Sequence, residues 1–191
     1  MAGYFLVDRT KCDQVRYCCP KQGADFRCMA DSRDLNVEVK SAIIDELGPG
    51  DYCGPVDSPA PRIRQLLNQS IKQLDKGDMN VVLLVDWSRP PIAEDYLVEA
   101  LFGTSLVAGP IGGPLRWARD RDGKCGPNQM TRLGACGIIR WFGRDKVYGW
   151  FVHNPYASKP VPSHILDPWS QLMPGEGWRN GTPDQPPQKW R

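Results

Sequence analysis

The fold turns on three consecutive pieces of chain: Ala24-Asp25-Phe26-Arg27-Cys28-Met29, the turn-formers Ala30-Asp31-Ser32-Arg33-Asp34, and Asn36-Val37-Glu38-Val39-Lys40-Ser41-Ala42-Ile43. Apolar and polar residues alternate on both sides of the turn-formers, the period of two that marks a β-hairpin. A turn centred between Ser32 and Arg33 sets Phe26 against Val39 and Cys28 against Val37, which gathers the apolar residues on one side. The same register sets Asp25 against Lys40 and Arg27 against Glu38 on the other side. A slip of one residue would scatter both sets.

Upstream, Val15 to Cys19 supplies a further strand, and downstream a Gly- and Pro-rich loop from Gly48 to Pro61 closes the unit. Between Arg62 and Lys76, Ile63, Leu66, Leu67, Ile71 and Leu74 recur at helical spacing ahead of Gly77, which predicts an amphipathic helix. The run Val81-Val82-Leu83-Leu84-Val85 within Asn80 to Asp86 predicts a strand buried on both faces and reached by a crossover helix. A second helix is expected from Ala93 to Phe102 and a long loop over 104–131. A second hairpin, Cys136 to Arg140 with Lys146 to His153, extends or caps the sheet. Few aliphatic residues follow Leu166, so the Pro-rich stretch 167–191 is expected to be a loosely ordered tail, above all from about 175. The organisation is one α/β domain over 1–166, with its core at 15–102 and a hairpin extension at 133–156.

Composition narrows the classes. The 191 residues carry a formal charge of only +2, so any polyanion partner must be met by a local patch. Glycine (19) and proline (18) are too frequent for a coiled coil or long bundle. No apolar run approaches the roughly 20 residues of a membrane span. The start, Met1-Ala2-Gly3-Tyr4-Phe5-Leu6-Val7-Asp8, lacks a basic leader, and the cytoplasm is the expected compartment. The seven cysteines form no paired CxxC motifs, which weighs against a structural zinc site. No GxSxG elbow accompanies His153 or His164, which weighs against a Ser-His hydrolase.

Asp25, Glu38 and Lys40 lie on the polar side of the first hairpin. Two carboxylates suit a hard cation such as Mg²⁺ or Mn²⁺, and a neighbouring ammonium can orient the water that attacks a phosphodiester. The order Gly23-Ala24-Asp25-Phe26, turn, Val37-Glu38-Val39-Lys40-Ser41, helix and buried strand resembles the PD-(D/E)xK nuclease superfamily over residues 15–102. The resemblance implies a restriction-endonuclease-like mixed central sheet flanked by helices, here with an added C-terminal β-hairpin and an irregular tail. It implies Asp25 and Glu38 as metal ligands, Lys40 as the group assisting the water, and a glutamine from the following helix, with Gln69 and Gln73 as candidates and Gln73 taken into the candidate site. Two features depart from the pattern. Ala24 stands where proline is usual, and only 24 residues precede Asp25, which suggests a shortened first helix whose acid would fall to Asp8 or Asp13. The bland alternative is a solvated face on which Asp25 pairs with Lys40 and Arg27 with Glu38, each pair contributing at most about 1 kcal/mol.

Between Pro110 and Trp150, eight cationic residues outnumber three acidic ones and are interleaved with Trp117, Trp141, Phe142 and Trp150. Arg116, Arg119, Arg132, Arg140 and Arg144 are the expected nucleic-acid contacts, with DNA preferred to RNA as partner. The leading expectation is a metal-dependent nuclease. Its alternative is an inactive relative that binds nucleic acid or protein through this basic region.

Overall fold

The computed structural model describes residues 13–17, 23–42, 58–88, 91–114, 116–142, 146–167 and 169–174. The expected loop from Gly48 lies outside them up to residue 57, as do Asp8, Arg144 and the tail beyond Pro174.

Strand β1 (Asp13–Tyr17) pairs antiparallel with β2 (Phe26–Ala30), which pairs antiparallel with β3 (Arg33–Ala42). The connection from β3 to β4 (Met79–Asp86) carries helix α1 (Ala60–Ser70), and β3 and β4 are parallel. Helix α2 (Glu94–Phe102) follows, then a separate two-stranded sheet of β5 (Ser105–Ala108) and β6 (Arg116–Arg119). Strand β7 (Ala135–Phe142) lies parallel to β4 on its other side and forms a hairpin with β8 (Lys146–His153). After a 3₁₀ turn at Ser163–Ile165, β9 (Ser170–Leu172) closes the order β1-β2-β3-β4-β7-β8-β9. The result is an α/β fold on a mixed sheet. Among the described residues, no helix is long and apolar enough to cross a membrane.

Alternation along the central strands divides the interior in two. Val82 and Leu84 of β4, with Cys136 and Ile138 of β7, meet Ile63 and Leu67 of α1 and Leu97 and Leu101 of α2. Val81 and Leu83 face the other way, onto Val37, Ile139, Phe151, Ile165 and Leu166. Strand β4 is therefore apolar on both faces, as its uninterrupted Val81–Val85 run requires.

Four expectations are corrected. The first hairpin pairs Phe26 with Val37 and Cys28 with Leu35, two residues away from the expected register. Asp31 and Ser32 form its two-residue loop with φ of 50° and 59°, the double left-handed geometry whose twist suits a hairpin. A shift of two leaves each residue's face unchanged but moves every pair. Helix α1 ends at Ser70 rather than Lys76: the Ser70 hydroxyl bonds back to the Leu66 carbonyl and the Gln73 amide to the Ser70 carbonyl, turning the chain off the helix axis. The expected long loop contains the β5–β6 pair. The expected tail contributes β9, whose Gln171 receives a bond from His153.

Candidate active site

Strand β2 begins at Phe26, and Asp25 occupies the bend just before it. Carrying the observed register one residue further brings Asp25 abreast of Glu38, not Lys40. The main chain here has passed the end of the ladder, and the Val39 amide donates instead to Asp25 Oδ2 at 2.9 Å. The Asp25 side chain is thereby fastened to the β3 backbone next to Glu38.

Glu38 and Lys40 point to the same side of β3, one pleat apart, and Lys40 folds back into an ion pair with Glu38 Oε1. Lys40 Nζ also donates to Gln73 Oε1 at 3.1 Å. Gln73 stands in the turn after α1, so the early end of that helix is what brings its amide over β3. Gln69 belongs to the helix itself. Asp25, Glu38, Lys40 and Gln73 thus form one constellation, through pairings other than the expected Asp25–Lys40 and Arg27–Glu38. Arg27, expected opposite Glu38, instead bonds Asn36 and pairs with Asp78 at 3.2 Å.

The environment of Glu38 sets this constellation apart. Its side chain is 1% exposed. Lys40 and the Asp25 backbone amide both favour its charged form, yet among the described residues neither Oε1 nor Oε2 has a hydrogen-bond partner of ordinary geometry. Burial pushes the Glu38 carboxyl above its ordinary value; contact with Lys40 opposes the rise, the nearby Asp25 charge adds to it, and the net direction is upward. An under-satisfied, buried carboxylate is costly unless something else completes its coordination.

No group of three or more His, Cys, Asp or Glu side chains suited to a metal gathers among the described residues. What gathers is a pair of carboxylates. Mg²⁺ commonly takes only one or two carboxylates from the protein, with water and substrate phosphate filling its remaining positions. The pair fits that requirement, and Oε2 of Glu38 is the atom a cation would satisfy. Asp13 lies in β1, paired with Met29.

The basic region is less unified than its sequence suggests. Arg140 pairs with Asp86 at 3.0 Å, with its side chain only 16% exposed. Arg119 donates to the Gly103 carbonyl at 2.7 Å, and Arg132 reaches the Leu74 carbonyl at 3.5 Å. Three of the five arginines expected to touch nucleic acid are therefore engaged with the protein's own backbone or carboxylates; Arg116 lies in β6, and Arg144 lies outside the described residues. Asn154, in the turn after β8, bonds the carbonyls of Met130 and Leu133 and holds that turn in place. His153 is buried against Gln171, and His164 pairs with Asp31 at the hairpin loop.

A second polar cluster gave no periodic signal in the sequence. Arg64 of α1 pairs with Asp122 at 2.7 Å. The Thr104 hydroxyl lies 2.9 Å from both Glu99 Oε1 and Asp122 Oδ2, and its single proton serves one at a time. Burial alone would raise the Asp122 carboxyl, but the Thr104 amide and hydroxyl together with Arg64 carry it below its ordinary value.

No family model, no curated protein and no solved structure matches this chain.

Proposed function

We propose that the protein is a metal-dependent phosphodiesterase of the PD-(D/E)xK kind, with a restriction-endonuclease-like core. The observation that carries this reading is the buried, under-satisfied Glu38 carboxylate, held between Asp25 and a lysine that Gln73 also engages. The succession of antiparallel hairpin, crossover helix and parallel strand supports it as well.

Asp25 and Glu38 would hold the Mg²⁺ or Mn²⁺, which supplies a Lewis acid for the phosphoryl oxygen and acidifies water. Lys40 orients the attacking water and offsets charge on the phosphate, while Gln73 keeps the ammonium from settling wholly on Glu38. The Val39 amide fixes Asp25, so neither acid depends on a mobile loop for its position. Nucleic acid is the substrate, DNA ahead of RNA, and the cytoplasm is the site of action.

The test incubates purified protein with single- and double-stranded DNA and RNA, with Mg²⁺, with Mn²⁺ and with chelator. The expected outcome is metal-dependent cleavage that falls by roughly 10²-fold or more in Glu38→Gln and in Lys40→Ala. Cleavage unchanged in both variants, or no cleavage of any substrate, refutes the proposal. Salt-sensitive, metal-independent binding that survives Glu38→Gln would instead favour a non-catalytic nucleic-acid module.

A further inference from the structure

Strands β5 and β6 pair with each other in a sheet of their own, and the chain between them includes Gly109-Pro110-Ile111-Gly112-Gly113-Pro114. Ile111 is wholly exposed, and Gly109, Pro110 and Gly112 are exposed beside it. The Gly113 amide donates to the Pro110 carbonyl at 2.9 Å and Gly112 takes φ of 78°, so Ile111 sits at the apex of a closed, tight turn. Open space surrounds this apex: a Cβ on Gly112 would meet nothing within 4 Å. The tip is narrow, and one aliphatic side chain stands on it.

The root of this ribbon is braced. The Asp120 amide donates to the Thr104 carbonyl at 2.9 Å and Arg119 to the Gly103 carbonyl at 2.7 Å, closing the ribbon onto the end of α2. Thr104 is itself held, since its amide donates to Asp122 Oδ1 at 2.9 Å and Asp122 pairs with Arg64 of α1. Gly103, with φ of 98°, approaches so closely that a Cβ there would lie 1.9 Å from the Asp120 oxygen, and only glycine permits the crossing. A load on the tip is therefore passed to α1 and α2 rather than absorbed at a hinge.

A lone exposed aliphatic residue is ordinary on a flat surface, whereas Ile111 is carried away from the surface on a braced support. Even with the partly exposed Leu106 it falls far short of the roughly 800 Å² that each partner gives to a stable protein interface. One such side chain is also a weaker anchor than the single acyl chain whose membrane attachment is marginal. The gap between two stacked base pairs has the right size and chemistry, because duplex DNA is kinked when apolar side chains are inserted there from the minor groove. With Arg119 spent on the root, Arg116 and Arg121 still outnumber Asp120 along the ribbon and its root, which favours the phosphates that flank a groove.

We infer that the β5–β6 ribbon enters the minor groove of duplex DNA and drives Ile111 between two adjacent base pairs, kinking the duplex. The inference deepens the reading of the Glu38 site and rests on it for nucleic acid as the partner class; it adds that this nucleic acid is double-stranded and bent. The wide, shallow minor groove of an RNA duplex gives the ribbon no comparable walls. Pyrimidine–purine steps, which unstack most readily, are the preferred points of insertion.

The test follows energy transfer between dyes at the two ends of a duplex of about 25 base pairs with a central TA step, mixed with the full chain in chelator at low salt. Binding is expected to raise the transfer, as a kink of roughly 20–90° requires, and to weaken as salt rises. Ile111→Ala is expected to bind about tenfold more weakly and to lose the rise in transfer, while Ile111→Leu keeps both and Glu38→Gln behaves as the unaltered chain. Ile111 is wholly exposed, so its variants report binding rather than folding. The inference is overturned by no binding to duplex DNA, by binding without a rise in transfer, or by a rise that Ile111→Ala leaves intact. A chain that ignores DNA but self-associates, and does so less as Ile111→Ala, would make the partner a second copy. Metal-dependent cleavage without bending would sink the wedge alone, and bending without cleavage would sink the nuclease reading alone.

Discussion

Glu38 and Asp86 are both almost wholly buried carboxylates, on adjacent parallel strands of one sheet and on its same face, yet the protein treats them differently. Asp86 Oδ1 accepts the Ser88 amide at 2.8 Å, and Oδ2 accepts the Ile92 amide and Arg140 Nη1, each at 3.0 Å. Two backbone donors and a guanidinium complete it, so it fixes the turn between β4 and α2. Glu38 has one flexible lysine, which it shares with Gln73, and a backbone contact from Asp25 too weak to offset its burial. A buried acid that the fold satisfies belongs to the architecture; one that the fold leaves open is a place where a ligand can do the satisfying.

The contrast can be broken most severely at the Glu38 end, where on the proposed function Glu38→Gln and Lys40→Ala are expected to lower metal-dependent cleavage by roughly 10²-fold or more. Next in size is Arg140→Ala, which strands the Asp86 charge in the interior. It is expected to cost about 3 kcal/mol in urea unfolding at pH 7, and Lys40→Ala, which removes the cation beside an equally buried carboxylate, a comparable amount. The two differ in pH dependence: the cost of Lys40→Ala is expected to shrink at acid pH, because Glu38 takes up its proton more readily than an ordinary carboxylate, and a cost independent of pH would erase the distinction.

A smaller effect has the opposite sign. Because the folded state raises the Glu38 carboxyl above its ordinary 4.5, folded protein holds that proton more tightly than unfolded chain. Stability from this group is therefore greatest at low pH and falls as pH rises from about 4.5 through the folded value. Glu38→Gln is expected to stabilise the protein at pH 7, read as a raised Tm, with the gain vanishing below the unfolded value. A destabilised Glu38→Gln at pH 7 would mean that the carboxylate is structural after all. The smallest change is Gln73→Ala, expected to alter stability by under about 0.5 kcal/mol. Its signature is a shifted pH–rate profile with a reduced rate, since Lys40 then rests on Glu38 alone; an unchanged profile would remove Gln73 from any positioning role.

Much of this arrangement can be read without coordinates. Alternation in Phe26–Met29 and Asn36–Ala42 marks the hairpin and puts Glu38 and Lys40 on one face, because parity survives a register shift of two. The apolar run Val81–Val85 announces a strand covered on both sides. The exact pairing could not be read, because Asp31 and Ser32 each adopt a left-handed conformation more familiar for glycine or asparagine, and a turn of that type moves each partner by two. The sequence does not choose between Gln69 and Gln73, since helical periodicity runs on through Leu74 while the chain leaves the helix after Ser70, where the Gln73 amide turns to the Ser70 carbonyl.

The arginines show the same division from the other direction. In sequence, Arg119, Arg132 and Arg140 form part of a positive stretch; in space, each turns to a different carbonyl or carboxylate, and the stretch breaks into separate structural contacts. Composition records how many charges a segment carries but not which of them are neutralised from far away in the chain.

By itself, then, the sequence determined the α/β class, the alternating faces of the hairpin and the residue types of the candidate site, because periodicity and side-chain chemistry are local properties. Tertiary structure alone decided that Asp25 is tied to the Val39 amide, that Lys40 divides itself between Glu38 and Gln73, and that Glu38 rather than Asp86 is left short of partners. Those outcomes depend on which atoms meet after the chain has closed long loops, and on how much water is then excluded from each charge.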